Sequence, residues 1–186
     1  FNRYHRIPSL AANNPKYKAN GRYWVGGVWP STNYMVISGL ADKGYRKLAY
    51  DITLNHYYNV FKVYQNTGTF FEYYAPEEAA PGFMARKDFV GWTGLPPIAE
   101  LIEYIFGIRA NHESNTITID VNLLDAYGID KYPYGENGSI SFKVAKRSNA
   151  EEKPKVTIKS NVPFKAVLLW GDNKVEKEIK AGSQII

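Results

Sequence analysis

The sequence predicts an α+β chain in two parts. Residues 1–108 read as helical and aromatic-rich, and residues 109–186 as a small antiparallel β-sandwich-like domain. Three observations predict this. Apolar residues recur at helical spacing near 34–41, 48–64 and 98–105. After about Arg109 the period falls to two, with Ile117, Ile119 and Val121 alternating with Thr116, Thr118 and Asp120. Hydrophobic residues make up 45% of the 186 and charged residues 22%, a balance that packs a globular core and argues against disorder.

Residues 1–28 carry turn formers (Asn13, Asn14, Pro15, Asn20, Gly21) and little periodicity, so they form an irregular approach segment. Pro30 suits the first position of a helix, where its missing N–H costs nothing. The helix it opens carries Tyr34, Met35, Val36, Ile37, Leu40 and Ala41, apolar on most sides, and is expected to be buried, with Gly44 as its cap. A longer helix over 45–66 places Leu48, Ala49, Ile52, Tyr57, Val60, Phe61 and Tyr64 roughly on one face and ends near Gly68. Residues 67–92 form a connection long enough to suggest a functional loop. Thr93 is the expected N-cap of a third helix, with Pro96 and Pro97 in its first turn, Ile98, Leu101, Ile102 and Ile105 at helical spacing, and Gly107 closing it. Beyond it, strands are expected near 117–121, 140–144, 156–158, 164–170 and 175–179, with turns at Asn137-Gly138 and Gly171-Asp172-Asn173.

The remaining composition narrows the chemistry. The net charge is +5, and Lys143, Lys146, Lys153, Lys155, Lys159 and Lys165 are interrupted by Glu151, Glu152 and Asp172. That pattern reads as a solvated strand face, with no nucleic-acid partner. The absence of cysteine rules out disulfides and thiolate chemistry and leaves the compartment open. No apolar run approaches a membrane span and no signal peptide is visible, so no membrane partner is expected. Localisation is unassigned, with export in a bacterium one option. The chain starts at Phe1, which suggests that something lies upstream. His5, His56 and His112 are scattered without metal-ligand spacing, so neither a metal nor another cofactor is expected. There is no phosphate-cradling loop and no nucleophile elbow, and Ser9, Ser31 and Ser38 lack local support as nucleophiles.

Chemistry concentrates in three stretches. Glu72 lies among Phe70, Phe71, Tyr73 and Tyr74, where packed rings would desolvate a carboxylate and tune it for acid–base work. The alternative is a carboxylate exposed at a loop tip while the rings face the core. Glu77 and Glu78 read as ordinary exposed loop residues. Trp24 and Trp29 bracket Gly26 and Gly27, which suits either a sugar subsite or an aromatic plug at a helix entrance. Trp92 lies just before the third helix. Should the three stretches converge, the result is a carbohydrate site by character. In the β domain only Trp170 and Tyr132 or Tyr134 offer stacking rings, so a structural role is expected there.

Three motifs carry a family resemblance: 21–34 (Gly-Arg-Tyr-Trp-Val-Gly-Gly-Val-Trp-Pro-Ser-Thr-Asn-Tyr), 68–77 (Gly-Thr-Phe-Phe-Glu-Tyr-Tyr-Ala-Pro-Glu) and 89–95 (Phe-Val-Gly-Trp-Thr-Gly-Leu). Residues 1–107 resemble the last part of the glucosidase/trehalase-like clan of glycoside hydrolases, which includes processing α-glucosidase, trehalase and mannosylglycerate-hydrolase-like domains. The resemblance implies the C-terminal hairpins of an (α/α)6 barrel of six helical hairpins. It also implies hydrolysis of an α-glycosidic bond with inversion. Glu72 matches the family's catalytic base. Trp24 and Trp29 match the segment lining the sugar pocket, followed by Asn33 and Tyr34, and Trp92 matches the Gly-Trp-Thr wall, so these five and Tyr74 are the expected substrate-binding residues. The family's general acid, an Asp on an earlier hairpin, has no counterpart in residues 1–20.

Inversion needs an acid and a water-activating base roughly 6.5–9.5 Å apart. The chain is therefore expected to be the C-terminal portion of an inverting glycosidase acting on an α-linked glucoside-like or related sugar, and inactive on its own. Its partners would be the carbohydrate substrate and either the missing N-terminal part of the barrel or a second copy, held through exposed apolar helix faces. A non-catalytic glycan-binding or scaffold protein is the alternative. A lyase or epimerase on the same fold is a third reading.

Overall fold

The computed structural model describes all 186 residues, Phe1–Ile186. The chain is α+β and divides into two compact units, Phe1–Leu101 and Ile102–Ile186. The division falls earlier than the change of period at 108/109 because Ile102 and Phe106 pack against the core of the second unit.

In the first unit, helix α1 (Pro30–Asp42) has Pro30 in its first turn and buries Pro30, Asn33, Ile37 and Ala41, positions three or four apart. It packs against helix α2 (Arg46–Thr67). Burial on most sides was expected for α1, but Met35 is 71% exposed and Val36 40%, because this unit offers it a partner on one side only. The stripe that α2 buries also differs from the expected face. Ala49, Ile52, Thr53, His56, Asn59, Val60 and Val63 are buried, whereas Leu48, Phe61 and Tyr64 are exposed. Polar members of the stripe satisfy themselves locally, with Thr53 donating to the Ala49 carbonyl at 2.8 Å and Asn59 to that of Asn55 at 2.8 Å. Gly68, at φ 74°, adopts the left-handed cap that closes α2, its N–H bonding to Tyr64 O at 2.7 Å.

No helix of the structure is long and apolar enough to cross a membrane.

The third helix, Pro96–Ile105, is a π-helix, in which Glu100 N–H reaches five residues back to Leu95 O at 2.9 Å. Pro96 and Pro97 lack the N–H groups that would start a tighter ladder. Thr93 does not cap it. It lies in the short 3-10 turn Trp92–Gly94, and its buried hydroxyl donates to the Phe71 carbonyl instead.

The second unit holds eight strands: β1 (Ile108–Asn111), β2 (Thr116–Asp120), β3 (Tyr127–Tyr134), β4 (Gly138–Val144), β5 (Val156–Ser160), β6 (Phe164–Trp170), β7 (Asn173–Ile179) and β8 (Gly182–Ile185). They form two four-stranded sheets, β1-β2-β6-β7 and β3-β4-β5-β8. One apolar core serves both, fed by alternate residues such as Ile117 and Ile119, Ile140 and Phe142, Val156 and Ile158, Phe164 and Leu168. The pairing is antiparallel except between β2 and β6, which run parallel, a departure from the all-antiparallel expectation. Strands β1, β3 and β8 were not foreseen, since short or polar strands carry a weak alternation. Trp170 and Tyr134 lie in the core and Tyr132 packs against it, so none is a free stacking ring.

Arg147, only 3% exposed, ties this unit together. Its Nη1 donates to the carbonyls of Ala150 and Glu152, and its Nη2 to those of Val121 and Leu123, at 3.0–3.2 Å. Arg147→Met keeps the aliphatic stem but leaves those carbonyls without their donor. It is expected to cost about 3 kcal/mol in denaturant unfolding of this unit.

Candidate functional site

The long connection expected over 67–92 is a tightly hydrogen-bonded ribbon. Single bridges pair Phe71 with Lys87, Tyr74 with Pro81, Tyr74 with Val28, and Val28 with Pro8. Every backbone polar group of Phe71 and Glu72 has a partner. Phe71 N–H donates to the Tyr74 hydroxyl at 3.3 Å, and Phe71 O accepts from the Thr93 hydroxyl at 2.6 Å. Glu72 N–H donates to Arg86 O at 3.0 Å, and Glu72 O accepts from the Trp92 indole N–H at 2.7 Å. So constrained a backbone fixes the point from which the Glu72 side chain projects before any ligand arrives. The Glu72 side chain is half-buried, between the two arrangements open from the sequence.

The three aromatic stretches converge. Trp29 stacks on Trp24 (4.2 Å between ring centroids, 12°) and on Tyr73 (4.5 Å, 26°), and lies 6.0 Å from Trp92. Tyr23 meets Trp29 edge-on at 5.1 Å, and Phe89 lies 4.7 Å from Trp92. Trp29 is only 2% exposed and has no face left for a ligand, whereas Trp24 is 49% exposed. Trp29 therefore supports the outer ring. Tyr73, whose hydroxyl donates to Phe83 O at 2.8 Å, has its pKa raised first by burial and then by the charge of neighbouring Glu72. A side chain at Gly82 would strike the Tyr73 ring, so this wall needs glycine there.

Asn33 is buried and its amide is fully used. It accepts from Ile7 N–H at 2.8 Å and donates to Ile7 O and Trp29 O, both at 3.1 Å, pinning the N-terminal segment to α1. Tyr34 beside it is half-buried. Tyr74 is fully buried, and that burial pushes its phenol up to about 12. Glu77 is no ordinary loop residue. It receives both Arg3 Nε and Nη2 at 2.7 and 2.8 Å and the Tyr17 hydroxyl at 2.6 Å, and the Arg3 hydrogen bonds hold its pKa down.

Sequence reasoning missed a second cluster. His5 Nε2 and His56 Nδ1 are 2.7 Å apart, and Glu100 Oε1 is 3.9 Å from His56 Nε2, with all three residues fully buried. Burial holds both rings below their ordinary pKa, His56 at about 3, and the neighbouring ring lowers His5 further. Burial also pushes the Glu100 carboxyl well above its ordinary range. The three come from the N-terminal segment, α2 and the π-helix, so no spacing in the sequence announces them.

Residues 1–93, half of the chain, match the family model for the mannosylglycerate hydrolase MGH1-like glycoside hydrolase domain. Over 97 residues the chain is 35% identical to mannosylglycerate hydrolase MGH1 of Selaginella moellendorffii, covering 52% of this chain and 18% of that protein. It is 30% identical over 99 residues to a probable mannosyl-oligosaccharide glucosidase of Schizosaccharomyces pombe, covering 48% and 12%. An uncharacterised protein of Borreliella burgdorferi is 23% identical over 142 residues, 70% of this chain and 30% of that protein. The chain thus spans less than a third of the length of these relatives. No solved structure matches it.

Proposed function

Because the chain belongs to the family of mannosylglycerate hydrolase MGH1-like glycoside hydrolase domains, we propose that it is part of an inverting glycosidase in which Glu72 is the general base. What supports this most is the fixing of the Phe71-Glu72 backbone by four hydrogen bonds beside an aromatic wall. In an inverting reaction the base takes a proton from water as that water attacks the anomeric carbon, while an acid on the other face protonates the leaving oxygen. Trp24 and Trp92 contact the sugar through their rings, with Tyr34 at the margin. Trp29, Asn33 and Tyr74 hold those groups in place. The substrate is an α-linked sugar such as mannosylglycerate or a glucosylated oligosaccharide, in keeping with what the relatives' names say of those proteins.

The general acid lies outside these residues, and the helices of the first unit form the C-terminal hairpins of an (α/α)6 barrel. Met35, Val36, Leu48, Tyr58, Phe61 and Tyr64, all exposed, offer the apolar surface on which the rest of that barrel or a second copy would pack. The 186-residue chain alone is then inactive, and the second unit is a structural module.

The test is proton NMR of the intact protein acting on mannosylglycerate and on α-glucosides. A β-anomer as the first-formed product is expected. Retention of the α-configuration or an unsaturated product would overturn the mechanism. Binding without turnover, read as tryptophan quenching that Trp24→Ala removes, would favour a glycan-binding protein instead.

A further inference from the structure

Glu100, His56 and His5 present a puzzle of orphaned atoms. His5 Nδ1, His56 Nε2 and both Glu100 oxygens are buried without a hydrogen-bond partner. Such atoms are costly, and several together call for one explanation. The His5 ring also faces the Ala75 backbone, which favours its charged form weakly against the burial that opposes it. His5 N–H donates to Pro76 O at 2.8 Å, and the His5 ring lies 5.7 Å from that of Tyr74. One end of the cluster therefore abuts the ribbon three residues beyond Glu72.

A single assignment of protons gives three of these four atoms a role and leaves one Glu100 oxygen unpaired. Protonated Glu100 faces His56 Nε2 from 3.9 Å, and its O–H closes on that nitrogen with a small swing of the carboxyl. His56 carries its proton on Nδ1 and donates to His5 Nε2. His5 carries its proton on Nδ1, toward the Ala75 carbonyl. The donors run head to tail, all three groups stay neutral, and no charge is left in the core. Glu100 can occupy its place because the π-helix Pro96–Ile105 carries it there, and π-turns recur at functional sites.

We propose that Glu100, His56 and His5 form a neutral, directional hydrogen-bond chain that positions the ribbon carrying Glu72. This rests on the glycosidase reading for its consequence in turnover, but not for the chain itself. Glu100 is a positioning residue and touches no substrate. A carboxylate charge is not what it supplies, so glutamine, whose amide N–H can donate to His56 Nε2, should replace it.

The test uses the intact protein with mannosylglycerate as probe. Glu100→Leu is expected to lower kcat roughly tenfold or more while KM changes by about twofold or less, and Glu100→Gln to restore most of kcat. Without any turnover, hydrogen exchange reads the same positioning. Protection of the Glu72 and Ala75 amides should be lost in Glu100→Leu and kept in Glu100→Gln. In the unsubstituted protein near neutral pH, nitrogen NMR should show His5 and His56 as neutral rings protonated at Nδ1. Infrared spectra should show a protonated carboxyl band that Glu100→Gln removes. An imidazolium signal from either ring, unaltered exchange in Glu100→Leu, or a Glu100→Gln protein as impaired as Glu100→Leu would each overturn the chain. Glu72→Gln run alongside separates the two ideas. If it stays active, the base assignment fails, while the exchange and spectroscopic results still decide the hydrogen-bond chain.

Discussion

Glu72→Gln is expected to lower kcat by roughly 10²–10⁴-fold while leaving the fold intact, the scale at which removing a positioned general base acts. The substitution is nearly isosteric, and the backbone at 71 and 72 is fixed by partners it does not touch: Tyr74, Thr93, Arg86 and Trp92. A glutamine there occupies the same space but cannot take a proton from water. The nearby acidic residues are poor substitutes. Glu77 is occupied by Arg3 and Tyr17, and Glu100 is sealed in the core. KM should change little, since the aromatic contacts remain. Steady-state kinetics of the intact protein, with circular dichroism to check folding, decide the matter. A kcat within about tenfold of the parent would remove Glu72 from the base's role.

The sequence made some of this legible and hid the rest for physical reasons. Helix α1 was readable from Pro30 and Gly44, and α2 from its length and Gly68, because caps and periodicity are local signals. The face of α2 was misjudged because its buried stripe includes Thr53, His56 and Asn59, polar residues whose partners lie on other segments or in the preceding turn. Thr93 looks like a cap, but its hydroxyl serves Phe71, twenty-two residues away. The convergence of Trp24, Trp29, Tyr73 and Trp92 could be posed from the sequence only as a condition. Their stacking order, which closes Trp29 and leaves Trp24 open, needed the fold. The histidine–glutamate chain was invisible for the same reason, since it joins three segments up to ninety-five residues apart.

Acid is expected to destabilise the first unit steeply, through its two buried histidines. In the fold both rings are held neutral. Unfolded, each titrates at its ordinary value of 6.5. Their contribution is therefore fully present above 6.5 and is lost as pH falls toward the folded values, about 3 for His56. Each pH unit of that descent costs about 1.4 kcal/mol per ring, so His56 alone removes of order 5 kcal/mol by the end of it. Glu100 acts with the opposite slope. Its carboxyl is raised, so its contribution is present below its ordinary value of 4.5 and erodes as pH rises toward the folded value. Between 4.5 and 6.5 two rings outweigh one carboxyl, so stability rises with pH there, and the carboxyl's opposing erosion ends once its raised folded value is passed. Stability should thus fall as pH drops below 6.5. Of the other groups in contact with this cluster or its ribbon, Tyr74 stays protonated up to about 12, and Glu77, held down by Arg3, gives a contribution that is present above its ordinary 4.5 and is lost only below it. Urea unfolding across this range, followed by the fluorescence of Trp24, Trp29 and Trp92, measures the profile. His56→Asn retains a donor toward His5 but cannot titrate, so it should sharply reduce the acid slope, whereas Glu100→Gln removes the opposing carboxyl and should steepen that slope between 4.5 and 6.5. A profile unchanged by both substitutions would mean that these three residues do not hold their protons as the burial of the cluster requires.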